Sequence, residues 1–283
     1  MNYQWYPGHM AKAKRQMQED LKLVDLIIEL VDARIPLSSR NPDIDQLAAN
    51  KPRIVLLNKS DLADDDINEL WKKYFEEQGF LTVSLDSRQS KGIRPVSEAV
   101  NKACAAKIER DRKRGIKNRP VRAMVTGIPN VGKSTFINSF AKKAATKTGN
   151  KPGVTKGRQW IKLSKTVELL DTPGILWPKF DNNEVGIKLG ITGSINDDIL
   201  DKEELAVNLI MYLKENYEGL LADRYNIDEK NKEYDIISEI ALVRKCLLKG
   251  GEADYLKAER LIIDDFRSGR LGRISLEKPG EVV

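Results

Sequence analysis

Apolar and polar positions follow two different textures along this chain. Up to about residue 180, short apolar runs recur between polar turns: "VDLIIELVD" at 24–32, "RIVLLN" at 53–58, "FLTVSLDS" at 80–87 and "RAMVTG" at 122–127. Runs of this length, rich in Val, Ile and Leu, predict buried strands. Pro36 and Pro42 in "DARIPLSSRNP" exclude a helix continuing from the first of them. Helical periodicity intervenes from Ile67 to Gln78, and "PVSEAVNKACAAKIERDRKR" at 95–114 predicts one further helix. "RQWIKLS" and "TVELLDTPG" then predict two antiparallel strands. Strands alternating with helices predict an open α/β sheet covered on both faces.

Beyond about residue 180 the 3.6-residue period takes over, in "DKEELAVNLIMYLKENY", "YDIISEIALVRKCLL" and "ADYLKAERLIIDDFRSG". The expected organisation is therefore an α/β domain over 1–180 and a small helical domain over 181–283. A chain of 283 residues can hold two cores.

Composition narrows the function classes. With 41% hydrophobic and 32% charged residues, the sequence reads as globular, and no apolar run has the length of a membrane span. The first residues, "MNYQWYPGHMAKAK", lack the apolar segment of an export signal, which predicts a cytoplasmic protein. Cys104 and Cys246 stand apart without metal-ligand spacing and predict two isolated thiols. A net charge of +6 permits an acidic partner such as nucleic acid.

The chemistry lies in the loops. "GIPNVGKST", Gly127 to Thr135, fits the G-x-x-x-x-G-K-[ST] phosphate loop and sits between a predicted strand and a predicted helix. Gly127 and Gly132 let backbone amides turn toward phosphates, and Asn130, Val131, Gly132, Ser134 and Thr135 are expected nucleotide contacts. Lys133 is placed to neutralise the β and γ oxygens during phosphoryl transfer, and Ser134 to ligate Mg²⁺. "DTPG" puts Asp171 where a carboxylate holds Mg²⁺ through water, and the Gly174 amide where it senses a γ-phosphate. In "GNKPGVTKGRQW" between them, Thr155 is expected to complete the metal shell, with Thr146 and Thr148 as alternatives.

"NKSD" selects the base. Asp61 can accept from the N1–H and amine of guanine, which adenine does not offer, and Asn58 and Lys59 can support the loop and cover the ring. Ser84, Leu85 and Asp86 in "SLDS" are expected to close over the base. Yet "NKSD" precedes the phosphate loop by about seventy residues, the reverse of the usual order.

With this loop order the chain resembles the circularly permuted GTPases, in which a Ras-like P-loop domain has been cut and rejoined. The joint would be "AKIERDRKRGIKNRPVR", with eight basic residues against two acidic. "QWYPGHMAKA", "VDARIPLSSRNP", "GIPNVGKSTFIN", "DTPGILWPKF" and "DDFRSGRLGRISLE" together are similar to the ribosome biogenesis GTPase A family. That resemblance implies a GTP-hydrolysing factor for late maturation of the large (50S) ribosomal subunit, stimulated by that particle. Implied partners are the large subunit or its precursor and rRNA, with the protein monomeric off the ribosome and no membrane involved.

Ile175 follows "DTPG" where Ras-like enzymes orient water with a glutamine, which predicts slow intrinsic hydrolysis. The resemblance offers His9, the chain's single histidine, as the catalytic substitute; a structural role is the other reading. Asn130 is implied as a ligand for an activating K⁺ ion, or is a plain loop residue. Lys12, Lys14 and Arg15, then Arg267, Arg270 and Arg273, are expected RNA contacts or solvated faces, and Trp5 and Tyr6 stacking or packing residues. Two other functions fit: a GTP-sensing RNA-binding scaffold with little turnover, and a GTPase in another RNA process such as tRNA modification.

Overall fold

The computed structural model describes residues 15–48, 50–89, 92–116, 119–141, 159–164, 166–172, 183–195 and 200–281. The chain divides into two compact units, Met1–Asp181 with Glu277–Val283, and Asn182–Leu276. The sequence reading carried the helical domain on to residue 283, whereas the chain from Glu277 onward groups with the first unit. The reason is polar: the Glu277 carboxylate accepts the Leu37 N–H at 2.9 Å and the Ser38 N–H at 3.2 Å, while the Trp71 indole N–H donates to the Glu277 carbonyl at 3.0 Å.

The first unit holds a six-stranded sheet of β1 (Leu26–Asp32), β2 (Arg53–Asn58), β3 (Leu81–Leu85), β4 (Val121–Thr126), β5 (Gln159–Lys162) and β6 (Val167–Asp171), in the order β3-β2-β1-β4-β6-β5. All neighbours are parallel except β5, which runs antiparallel to β6 as expected. Counting from β4 as the first strand turns this order into 2-3-1-4-5-6, so the phosphate strand is central and the permutation leaves the sheet of a Ras-like domain intact. Every residue of β1 is buried, as a central parallel strand requires. That burial includes Glu29, which is neutralised by Arg40 at 3.2 Å and Arg53 at 3.4 Å.

Helices α1 (Asp43–Leu47), α2 (Asp65–Glu77), α3 (Ile93–Ala103), α4 (Ala105–Lys113) and α5 (Lys133–Ala141) accompany the sheet. Asp64 caps α2 by accepting the N–H groups of Asp66 and Ile67, an arrangement that substitution by Ala typically weakens by about 1 kcal/mol. Ile67, Trp71 and Phe75 of α2 then pack on Val31, Val55 and Leu57. The single helix expected over 95–114 is two, because Cys104 leaves helical geometry at φ −103° and ψ 12°. Its buried thiol is pushed up to about 11 by desolvation, so it is an unreactive packing group. Helix α1 is too short to show a period and was not read from the sequence.

The second unit comprises α6 (Asn183–Ile191), α7 (Lys202–Asn216), α8 (Leu220–Tyr225), α9 (Glu233–Val243) and α10 (Tyr255–Arg267). Helix α9 stops at Val243, earlier than its apolar period suggests. Lys245 at φ 56°, with Gly250 and Gly251 also left-handed, turns the chain into a bridge between Leu247 and Ala253. Buried Asp265 accepts from Arg224 at 2.8 Å and Arg270 at 2.5 Å. Arg267 donates to the carbonyls of Gly190 and Ile191, at 2.7 and 2.9 Å, where α6 ends. Arg267 and Arg270, two of the three arginines near the carboxyl end expected to meet RNA, thus hold this unit together.

Candidate functional site

The guanine-type motif, the segment from Ser84 and the phosphate loop lie at the carboxyl ends of β2, β3 and β4, and Asp171 is the last residue of β6, at the end of the sheet where open parallel sheets bind ligands. Register brings their roots into line. Asn58 at the end of β2 lies opposite Asp32 of β1 and Leu85 of β3, and Asp171 of β6 lies opposite Val125 of β4, two residues before Gly127.

Asn58 joins three of these loops. Its side chain is fully buried; Nδ2 donates to the Val131 carbonyl at 2.7 Å, and Oδ1 accepts the Ser87 N–H at 2.9 Å. The Ser139 hydroxyl of α5 donates to the Ser87 carbonyl at 2.6 Å and fixes that loop from its other side. A Cβ at Gly132 would lie 2.3 Å from Asn58 Nδ2, and one at Gly127 would lie 2.7 Å from the Leu30 carbonyl; both residues have positive φ. Glycine is therefore required at both positions.

The phosphate loop ends at Lys133, the first residue of α5, with Ser134 and Thr135 exposed behind it. The Lys133 ammonium donates to the carbonyls of Gly127 and Ile128 at 3.2 and 3.4 Å. Burial pushes its pKa down to about 8, although the charge of Asp171 opposes the fall. An ammonium folded over its own loop beside a helix N-terminus is suited to an incoming polyphosphate. Thr172, next to Asp171, donates its hydroxyl to the Val125 carbonyl at 2.6 Å and pins the end of β6 against β4. Asn130 is exposed with φ 57°.

At the base-reading loop, Lys59 adopts φ 60° and its ammonium lies 2.9 Å from Asp32 Oδ2. Arg34 grips the same carboxylate through Nε and Nη2 at 2.9 and 2.8 Å. Burial alone would raise the Asp32 carboxyl; the two cations overcome it and hold the group well below the usual carboxylate range. Asp32 and Arg34 thereby support the loop, a role absent from the sequence reading. The signal was available in the polar "DAR" that ends an otherwise apolar strand. Asp61 Oδ2 accepts from Arg88, which also bonds Asp86 at 2.9 Å. Ser84 is exposed on β3 and Leu85 buried.

His9, Thr155, Thr146, Thr148, Gly174, Ile175, Lys12, Lys14, Trp5 and Tyr6 lie outside the described residues.

A family model of 50S ribosome-binding GTPases matches residues 122–243, beginning on β4, so that "NKSD" lies ahead of the match. The ribosome biogenesis GTPase A of Bacillus licheniformis is 47% identical over 283 residues, covering the whole of both chains. Its counterpart from Thermotoga maritima is 32% identical, over 98% of this chain and 95% of its own. The solved structure of GNP-bound YlqF from Thermotoga maritima matches with a TM-score of 0.67 at 28% identity, covering 96% of this chain and all of that one. From the loop geometry, the permuted sheet and this full-length similarity, the chain belongs to the ribosome biogenesis GTPase A family and is a GTP-binding, GTP-hydrolysing protein.

Proposed function

We propose that this GTPase acts on the large ribosomal subunit or its precursor late in maturation, and that the particle stimulates its hydrolysis. Full-length similarity to proteins named for ribosome biogenesis is the observation that carries this reading. Phosphates would lie on the amides of 130–135 with Lys133 beside them, and guanine against Asp61, supported by Asn58, Lys59 and the Ser84–Asp86 segment.

The donor set also fits Mg²⁺. Ser134, in the first turn of α5, offers a hydroxyl and Asp171, at the end of β6, a buried carboxylate, hard oxygen ligands for an ion that otherwise keeps phosphate and water. Bound there, the ion supplies positive charge to the β and γ phosphates; Thr155 would join its shell and Gly174 would sense the γ-phosphate. Asn130, exposed in the loop, would offer its side-chain oxygen to K⁺.

Ile175 cannot orient water, which supports slow turnover by the protein alone, with His9 supplying the missing group when docked on the ribosome. Arg15, with Lys12 and Lys14, would meet rRNA. We place the protein in the cytoplasm as a monomer off the ribosome; among the described residues no helix is long and apolar enough to cross a membrane.

The test is steady-state GTP hydrolysis in potassium buffer, with protein alone, with large subunits and with small subunits. Stimulation by large subunits only, abolished in His9→Ala, is expected. Equal rates in all three would favour a GTP-sensing scaffold, the reading to which Ile175 also points.

A further inference from the structure

The Asp61 carboxylate has two unlike oxygens. Oδ2 accepts from Arg88 Nη2, whereas Oδ1 is buried and has no hydrogen-bond partner among the described residues. Arg88 reaches Asp61 from a second anchor: its Nε donates to Asp86 Oδ1 at 2.9 Å and its Nη2 to Asp86 Oδ2 at 3.1 Å. Its backbone N–H also donates to Asp86 Oδ1 at 2.9 Å. The guanidinium side chain is 65% exposed, against 27% for Asp61 and 10% for Asp86.

A buried acceptor without a donor beside one held by a cation is an incompletely satisfied site. A guanidinium is a flat fork of N–H donors, and the guanine edge, with N1–H next to the 2-amino group, is another. Guanine must meet both Asp61 oxygens in one plane, and Arg88 already approaches one of them. Because Asp86 retains Arg88 by bonds independent of Asp61, the arginine can let go of Asp61 without leaving its loop.

We propose that Arg88 is a gating residue for base selection: in the nucleotide-free protein it stands in for guanine on Asp61, and only a base with paired donors displaces it. The inference rests on the assignment of Asp61 to guanine. Adenine, lacking the N1–H, has nothing to exchange for the arginine, so the closed form works against it. Guanine affinity is lowered by the fraction of molecules in which Arg88 holds Asp61. An ion pair this exposed yields about a two- to fivefold effect, weakened by salt.

The test compares wild type, Arg88→Ala and Arg88→Lys for GDP and ADP binding at low and high salt, with association rates from a fluorescent GDP analogue. Arg88→Ala is expected to bind GDP about two- to fivefold tighter, with faster association and no gain for ADP. Arg88→Lys, which keeps the charge without the fork, should gain less. Raising salt should narrow the difference between wild type and Arg88→Ala, a response that a merely structural arginine would not give. Unchanged or weaker GDP binding by Arg88→Ala overturns the gate and makes Arg88 inert or a support for Asp61. A wild type that does not prefer GDP to ADP would instead overturn the Asp61 assignment itself.

Discussion

The phosphate end and the base end of the candidate site are built from different materials. Around the phosphate loop, neutral hydrogen bonds, most of them buried, link backbone to side chain: Asn58, reaching across from the "NKSD" loop, to Val131 and Ser87, Ser139 to Ser87, and Thr172 to Val125. At the base end, ion pairs prevail, Lys59 with Asp32 and Arg88 with Asp61 and Asp86, and Arg88 is largely exposed. Buried bonds whose loss strands a partner hold a shape, whereas exposed pairs exchange partners at little cost. One end is therefore fixed by its own hydrogen bonds, and on the proposed assignment the other is where the base is selected. This division suits a permuted chain, in which one buried amide spans loops 73 positions apart.

The largest expected effect separates choice from shape. Asp61→Asn presents a donor where guanine needs an acceptor, removing two charge-assisted hydrogen bonds. GTP affinity should fall by roughly a hundredfold, about 3 kcal/mol, with xanthosine triphosphate now preferred and the thermal midpoint of the free protein unmoved. Competition binding with the two nucleotides measures the first part and calorimetry the second. A large fall in stability would mean that the base end also holds shape, and the contrast would fail.

Asn58→Ala probes the buried clamp between the two ends. It leaves the Val131 carbonyl and Ser87 N–H without their partner in a buried setting, so unfolding free energy should drop by about 2 kcal/mol, read from the denaturant midpoint. GDP affinity should weaken too, because the two loops lose their common tie. If stability is unchanged while affinity falls, Asn58 acts on the nucleotide and not on the loops.

How far the sequence disclosed these ends follows from the range of the interactions. The strands were legible because β1, β2 and β4 are continuous apolar runs, and the phosphate loop because its glycines obey a local backbone rule. The guanine loop was legible as a motif, but the use of Asn58 as a clamp was not, since its partners at Val131 and Ser87 are distant in sequence. The same holds for the Lys59 contact with Asp32, and for Glu277, whose partners at Leu37, Ser38 and Trp71 lie more than 200 positions away. Arg267 and Arg270 looked like free charge because a sequence does not show the carbonyls of Gly190 and Ile191 or the buried carboxylate of Asp265 waiting for them. Patterns report burial and backbone conformation; they do not report which distant polar group completes a bond.

The smallest expected effect sharpens the contrast through the buried ammonium of the phosphate loop. Lys133 is lowered to about 8 by burial, against the pull of Asp171, while bound polyphosphate should restore it toward its ordinary value near 10.5. The nucleotide complex then holds more protons than the free protein above pH 8, so affinity must fall as pH rises through that value. Between pH 7 and pH 8.5 the loss should be about fourfold, measured as the GDP dissociation constant, and Lys133→Ala should bind weakly with a flat profile. The free protein should show the opposite sign. Its unfolded state holds the Lys133 proton more tightly, so this residue's contribution to stability rises with pH between about 8 and 10.5. Opposite slopes for affinity and stability would locate the titration at Lys133, whereas parallel slopes would place it in a group that nucleotide does not touch.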